Sequence, residues 1–157
     1  MLDRLAHATI AYLVLVGLGS FFGACSLASR LLPGFSSTDP FAIATIALFG
    51  FAGSSVAALT SCLDRYSIGF ERENGTPFPP TAKKDAGKFN RRFARWLFIR
   101  PFLGAIIAPV FVWGLSHFVS TPQKWIETIG FTAFMGGLLA KSVVDLIKSL
   151  FKNVFHT

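Results

Sequence analysis

The sequence predicts an all-α integral membrane protein with four transmembrane helices, on three observations. Residues 5–29, 41–63, 102–118 and 128–140 with their flanks are nearly free of charge. The chain is 52 % hydrophobic and 15 % charged over 157 residues, where soluble domains carry about a quarter charged residues. The charges also gather at the borders of the apolar stretches. Residues 83–101, KKDAGKFNRRFARWLFIRP, hold seven basic residues and one acid and run straight into an apolar segment.

The first two stretches exceed the roughly 20 residues that cross about 30 Å of hydrocarbon, and the others reach that length with their interfacial flanks. A soluble helical bundle would need polar helix faces, and the run LAHATIAYLVLVGLGSFFGACSLAS has none. It is also longer than a typical signal-peptide core, so it is expected to remain as the first span. The chain reads as a single membrane domain over 1–157, with spans at about 5–28, 41–62, 97–118 and 125–147.

The first helix contains Gly19-x-x-x-Gly23, two glycines on one face that permit close helix contact. Pro33-Gly34 ends it. The second helix starts at Asp39-Pro40, an acidic cap before a first-turn proline. Its centre, GFAGSSVAALTS, is crowded with small residues, and Gly50, Ser54 and Ala57 fall on one face as a tight seam. The competing reading of that stretch is a polar path using Ser55 and Thr60. Serine and threonine hydroxyls can instead bond their own helix carbonyls, which removes the need for water.

Residues 64–96 form the only substantial polar segment, expected to be a cytoplasmic loop followed by an amphipathic helix in the membrane interface. Asn74-Gly75 and Pro77, Pro79 and Pro80 discourage regular structure in its first half. From Thr81 onward, Phe89, Phe93 and Trp96 recur at helical spacing, with Lys84, Lys88, Arg91, Arg92 and Arg95 filling the polar side. The aromatic side would enter the interface while the cations meet lipid phosphates. The third span follows, with Pro101 near its start and Pro109 deeper, and with Gly104 and Ala108 as a small face. The fourth begins near the interfacial Trp125, carries Gly136 as a packing residue, and ends on a polar stripe of Lys141, Asp145 and Lys148.

Charge sets the expected topology. The segment between the second and third spans holds eight Lys or Arg, whereas the two opposite loops offer only Arg30 and Lys124. Both termini and the central loop therefore fall on the cytoplasmic side, N-in and C-in. Arg100 closes the third span there and would either snorkel to lipid phosphate or pair with Asp64 or Asp145.

Catalysis and metal binding find little support. Cys25 and Cys62 lie at opposite membrane depths, too far apart for a disulfide. His7, His117 and His156 share no depth either, and no serine has a histidine at its level for nucleophilic catalysis. No cofactor or metal is expected, while bound lipid is. Nucleic acid is an improbable partner despite the net charge of +7, because the excess sits at membrane borders. Two function classes remain. The first is a non-catalytic accessory or scaffold subunit of a membrane complex, in a bacterial inner membrane, which the 18 phenylalanines suit. The second is a homo-oligomeric pore, with Ser55 and Thr60 along its path and His117 or Glu127 at its mouth.

Overall fold

The computed structural model describes residues 2–30, 39–71, 77–78, 89–116 and 125–155. Four helices make up nearly all of it: α1 (Leu2–Ala28), α2 (Pro40–Ile68), α3 (Arg91–Ser116) and α4 (Trp125–Phe155). Strands β1 (Phe70–Glu71) and β2 (Pro77–Phe78) form a two-residue antiparallel ladder, Phe70 opposite Phe78, after α2. Every helix contains a segment long and apolar enough to cross a bilayer: Leu2–Ala28, Pro40–Ile68, Arg91–Gly114 and Thr128–Leu146. The chain is a membrane protein.

Local chemistry defines the helix ends. Asp39 is extended, and its carboxylate accepts from the Phe41 N–H at 2.8 Å. Pro40 occupies the first turn, where its missing N–H leaves no bond unmade. At the other end Gly69 adopts a φ of 120°, a conformation that glycine tolerates and side chains resist, while its N–H donates to the Arg65 carbonyl. The Gly69 carbonyl then accepts from the Phe89 N–H at 3.0 Å, tying the approach to α3 to the exit of α2. Asn90 Oδ1 caps α3 by accepting from the Phe93 N–H at 2.7 Å.

Helix α2 is the hub. It packs along α1, α3 and α4, whereas α1 touches α3 only lightly. Buried residues Ala6, Thr9, Leu13, Ala24 and Ala28 make one stripe on α1, and the rest of that helix is largely turned outward. Among the described residues, two apolar clusters fill the bundle. At the end where α1 begins, Ala6, Leu13, Ala58, Cys62, Phe89 and Leu97 pack together. Toward the other end, Ile46, Ala108, Val112 and Ala133 form the second. Hydroxyls within the spans mostly bond their own helix: Thr9 to the Leu5 carbonyl, Ser20 to Val16, Thr45 to Phe41. Such internal satisfaction is what hydrocarbon demands of polar groups.

One element of the expected fold is corrected. No separate amphipathic interfacial helix occurs between the second and third spans among the described residues. Arg91, Arg92, Phe93, Arg95 and Trp96 are the first turns of α3 itself, which continues without interruption to Ser116. The cause is the anchoring at its start. With Phe89 hydrogen-bonded to the end of α2 and Asn90 capping the next turn, the basic segment enters already stacked on the span. Residues 79–88, which include Lys84 and Lys88, lie outside the described residues.

Candidate functional site

The helices approach most closely around Gly50 on α2. A methyl group built on Gly50 would collide with Ala108 Cβ and the Gly104 carbonyl of α3. One on Gly137 of α4 would collide with the Gly50 carbonyl, and one on Gly104 with Ser54 and that same carbonyl. Gly53 meets the Phe134 backbone of α4 in the same way. These glycines let three backbones converge, so that small residues replace side-chain interlock as the source of contact. Gly136 sits differently, with its missing Cβ 3.0 Å from the Phe111 ring, and Ala57 is buried on α2.

The GxxxG motif of α1 is not part of this convergence. Gly19 has no atom of the chain within 4 Å of its would-be Cβ, and Gly23 only makes ordinary contact, 3.7 Å, with Leu48. Gly17 is the glycine on the packing stripe, 3.2 Å from Ser55 Cβ. The motif alone does not tell which face a helix turns inward, whereas the spacing Ala6, Thr9, Leu13, Gly17 does.

Beside the glycine junction lies a buried arginine. Arg100 of α3 is only 6 % exposed. Its Nη1 donates to Ser61 Oγ at 2.8 Å, and Ser61 Oγ donates in turn to the Ala57 carbonyl at 2.9 Å. Ser54 Oγ donates to the Arg100 carbonyl at 2.8 Å. Ser54 and Ser61 thus clasp one residue of α3 by its backbone and by its guanidinium. Their separation of seven residues puts both on one helix face, which is the signal that would have found Ser61 in the sequence. Arg100 Nε is buried and has no hydrogen-bond partner.

Neither expected acid pairs with Arg100. Asp64 is exposed, with its carbonyl accepting from Ser67 Oγ at 2.6 Å. Asp145 is exposed on α4 and forms no ion pair with Arg100. Arg100 therefore differs from the interfacial residue expected of it, because the small residues of α2 leave room for a long side chain inside the bundle.

Phe89 also departs from a lipid-facing role. It is fully buried in the cluster between α1, α2 and the start of α3. Phe93 is half-buried, with the Arg65 guanidinium 3.8 Å from its ring centroid, and Trp96 is half-buried too. Arg91, Arg92, Arg95 and Lys141 are exposed. Tyr66 donates to Asp3 Oδ1 at 3.1 Å and stacks edge-on with His7, joining the start of α1 to the end of α2.

Of the polar-path candidates, Ser55 is buried and bonded to the Phe51 carbonyl at 2.8 Å. Thr60 is bonded to the Ala57 carbonyl at 3.0 Å. His117 lies outside the described residues, as do the side chains of Trp125, Glu127 and Lys148. Ser55 also borders a cleft of about 330 Å³ between α1, α2 and α4, otherwise lined by apolar residues such as Leu13, Phe21, Val56 and Phe134. Among the described residues no three of His, Cys, Asp or Glu gather as metal ligands. Compared with protein families, curated proteins and solved structures, the chain matches no family model, no curated protein and no solved structure.

Proposed function

We propose that this chain is a structural subunit of a membrane complex, one that contributes helix packing and lipid contact and carries no reaction of its own. One observation supports this above the rest: the serine and threonine hydroxyls of the α2 seam are satisfied within the bundle, while its outer faces are large and apolar. Ser54, Ser55, Thr60 and Ser61 all donate to backbone carbonyls. Outside, Ile99, Phe102, Ile106, Val110 and Trp113 make an exposed stripe down α3, and Leu15, Leu18 and Phe22 are exposed on α1. Surfaces of this kind meet acyl chains or the apolar faces of other helices. Exposed Arg91, Arg92, Arg95 and Lys141 suit anionic headgroups, as in the bacterial cytoplasmic membrane.

The test is a paired measurement on purified protein. Reconstituted into liposomes under several ions and voltages, the chain is expected to conduct nothing above empty vesicles. Extracted gently from its membrane, it is expected to run with an unlike membrane protein at fixed stoichiometry. A homo-oligomeric ring that conducts would overturn the proposal in favour of a pore.

A further inference from the structure

We propose that the cleft between α1 and α4 holds one acyl chain of a phosphatidylethanolamine, whose phosphate meets Lys141 and whose ammonium meets Asp145. The inference deepens the lipid contact proposed above. It rests only on the membrane setting, so it stands whether the chain is a scaffold or a pore.

The bundle leaves this place open. Helices α1 and α4 both pack along α2 and barely meet each other. Between them Gly17, Ala52 and Ser55 form a floor too small to fill the gap, and Val14, Leu18 and Val56 stand exposed beside it. Ser55 Oγ is already bonded to the Phe51 carbonyl, so the floor asks for no polar group. The occupant is therefore apolar.

Size decides which apolar occupant. The cleft measures about 330 Å³. One turn of a helix with its side chains, about 10–12 Å across and 5.4 Å long, already takes about 400–600 Å³. A partner helix is too large to sit inside. A methylene is close in size to a water molecule in the liquid, roughly 30 Å³, so the cleft takes on the order of ten of them. Depth agrees with an acyl chain. Tyr66 bonds Asp3 where α1 begins and α2 ends. Ala52, at the far end of the cleft, lies about 21 Å along α2 from that level. One leaflet with its headgroups is about 20–22 Å thick, so a chain anchored at that interface reaches the whole cleft.

Charge names the headgroup. Helices α2 and α4 run the same way, with Ile46 clustered with Ala133 and Gly50 against Gly137. Lys141 and Asp145 therefore follow Phe134 along one face of α4, toward the side of the bundle where α1 begins. Both are exposed, and neither joins an ion pair among the described residues. They stand one turn, about 6 Å, apart along the axis. A lysine stem carries its ammonium outward to the interface while its methylenes stay in apolar surroundings. A phosphate with an ammonium two carbons away complements this cation and carboxylate. Choline carries the same charges but has no N–H to donate to Asp145.

The experiment is native mass spectrometry of the full chain in detergent, with phosphatidylethanolamine or phosphatidylcholine of identical chains added and circular dichroism to verify folding. Wild type is expected to retain one phosphatidylethanolamine per chain in preference to phosphatidylcholine. Val56→Trp fills the cleft from its exposed wall and is expected to lower retention of both lipids about tenfold, the loss of about two buried methylenes. Lys141→Gln is expected to lower both about threefold, and Asp145→Asn to erase the preference between them. Ile106→Trp, on the exposed stripe of α3, is expected to change nothing. The proposal is overturned if folded Val56→Trp retains lipid as wild type does, or if Asp145→Asn keeps the preference. It is equally overturned if a photoreactive side chain placed at Val56 in the native membrane joins a partner protein or a second copy of the chain instead of lipid.

Discussion

Helices α1 and α2 are nearly equal in length and in apolar character, yet they hold opposite places in the molecule. In its most apolar 18-residue window α2 has 56 % of its residues buried against 11 % for α1. Hydrophobicity does not separate them, because in a membrane both lipid and protein are apolar partners. Small residues do. The stretch 50–58 of α2 holds Gly50, Gly53, Ser54, Ser55, Ala57 and Ala58, all buried, and lets α3 and α4 approach to backbone contact. Helix α1 has three glycines to the two of α2, but Gly19 has open space around it, Gly23 meets only a leucine methyl and Gly17 only the Ser55 side chain, none of them another backbone. A central helix is thus one whose small residues converge on other backbones, and a peripheral helix is one whose small residues do not.

The contrast can be broken in graded steps by thermal or denaturant unfolding in detergent. Gly53→Val places side-chain atoms against the Phe134 backbone, which cannot move aside as a flexible side chain would. It is expected to cost about 3 kcal/mol or to prevent folding outright. Ser61→Ala leaves the buried guanidinium without its hydroxyl partner and is expected to cost about 1–3 kcal/mol. Gly17→Val pushes against Ser55 at the lighter α1–α2 contact, for about 1 kcal/mol. Ser54→Ala removes a single interhelical hydrogen bond, worth about 0.6 kcal/mol in membrane bundles. Gly19→Val, with nothing to meet, is expected to stay within about 0.5 kcal/mol of wild type. An inverted order between Gly53→Val and Gly17→Val would remove α2 from the centre.

Much of the helical plan was legible because length and lack of charge are written directly into the chain. The Asp39-Pro40 start is a local signal, and the structure uses it as a cap. The small faces at Gly50 and Ser54 and at Gly104 and Ala108 were visible separately. That they meet each other is a tertiary fact with no local mark. The amphipathic reading of 81–96 failed at Phe89 and α3 for a related reason. An aromatic stripe beside cations looks the same whether it faces lipid or another helix, and here Phe89 faces α1 and α2. Arg100 shows the limit most clearly. Its neighbourhood of Ile99, Pro101 and Phe102 suggests a residue that snorkels to the surface, and only Ser61, 39 positions away, reveals that it is held inside.

The claim that small residues make α2 the hub is tested most directly by comparing Gly50→Val with Gly19→Val in one detergent, following helix signal against temperature. The account predicts that Gly50→Val loses the cooperative transition or shifts it far downward, while Gly19→Val melts as wild type does. Equal shifts in the two variants would contradict it.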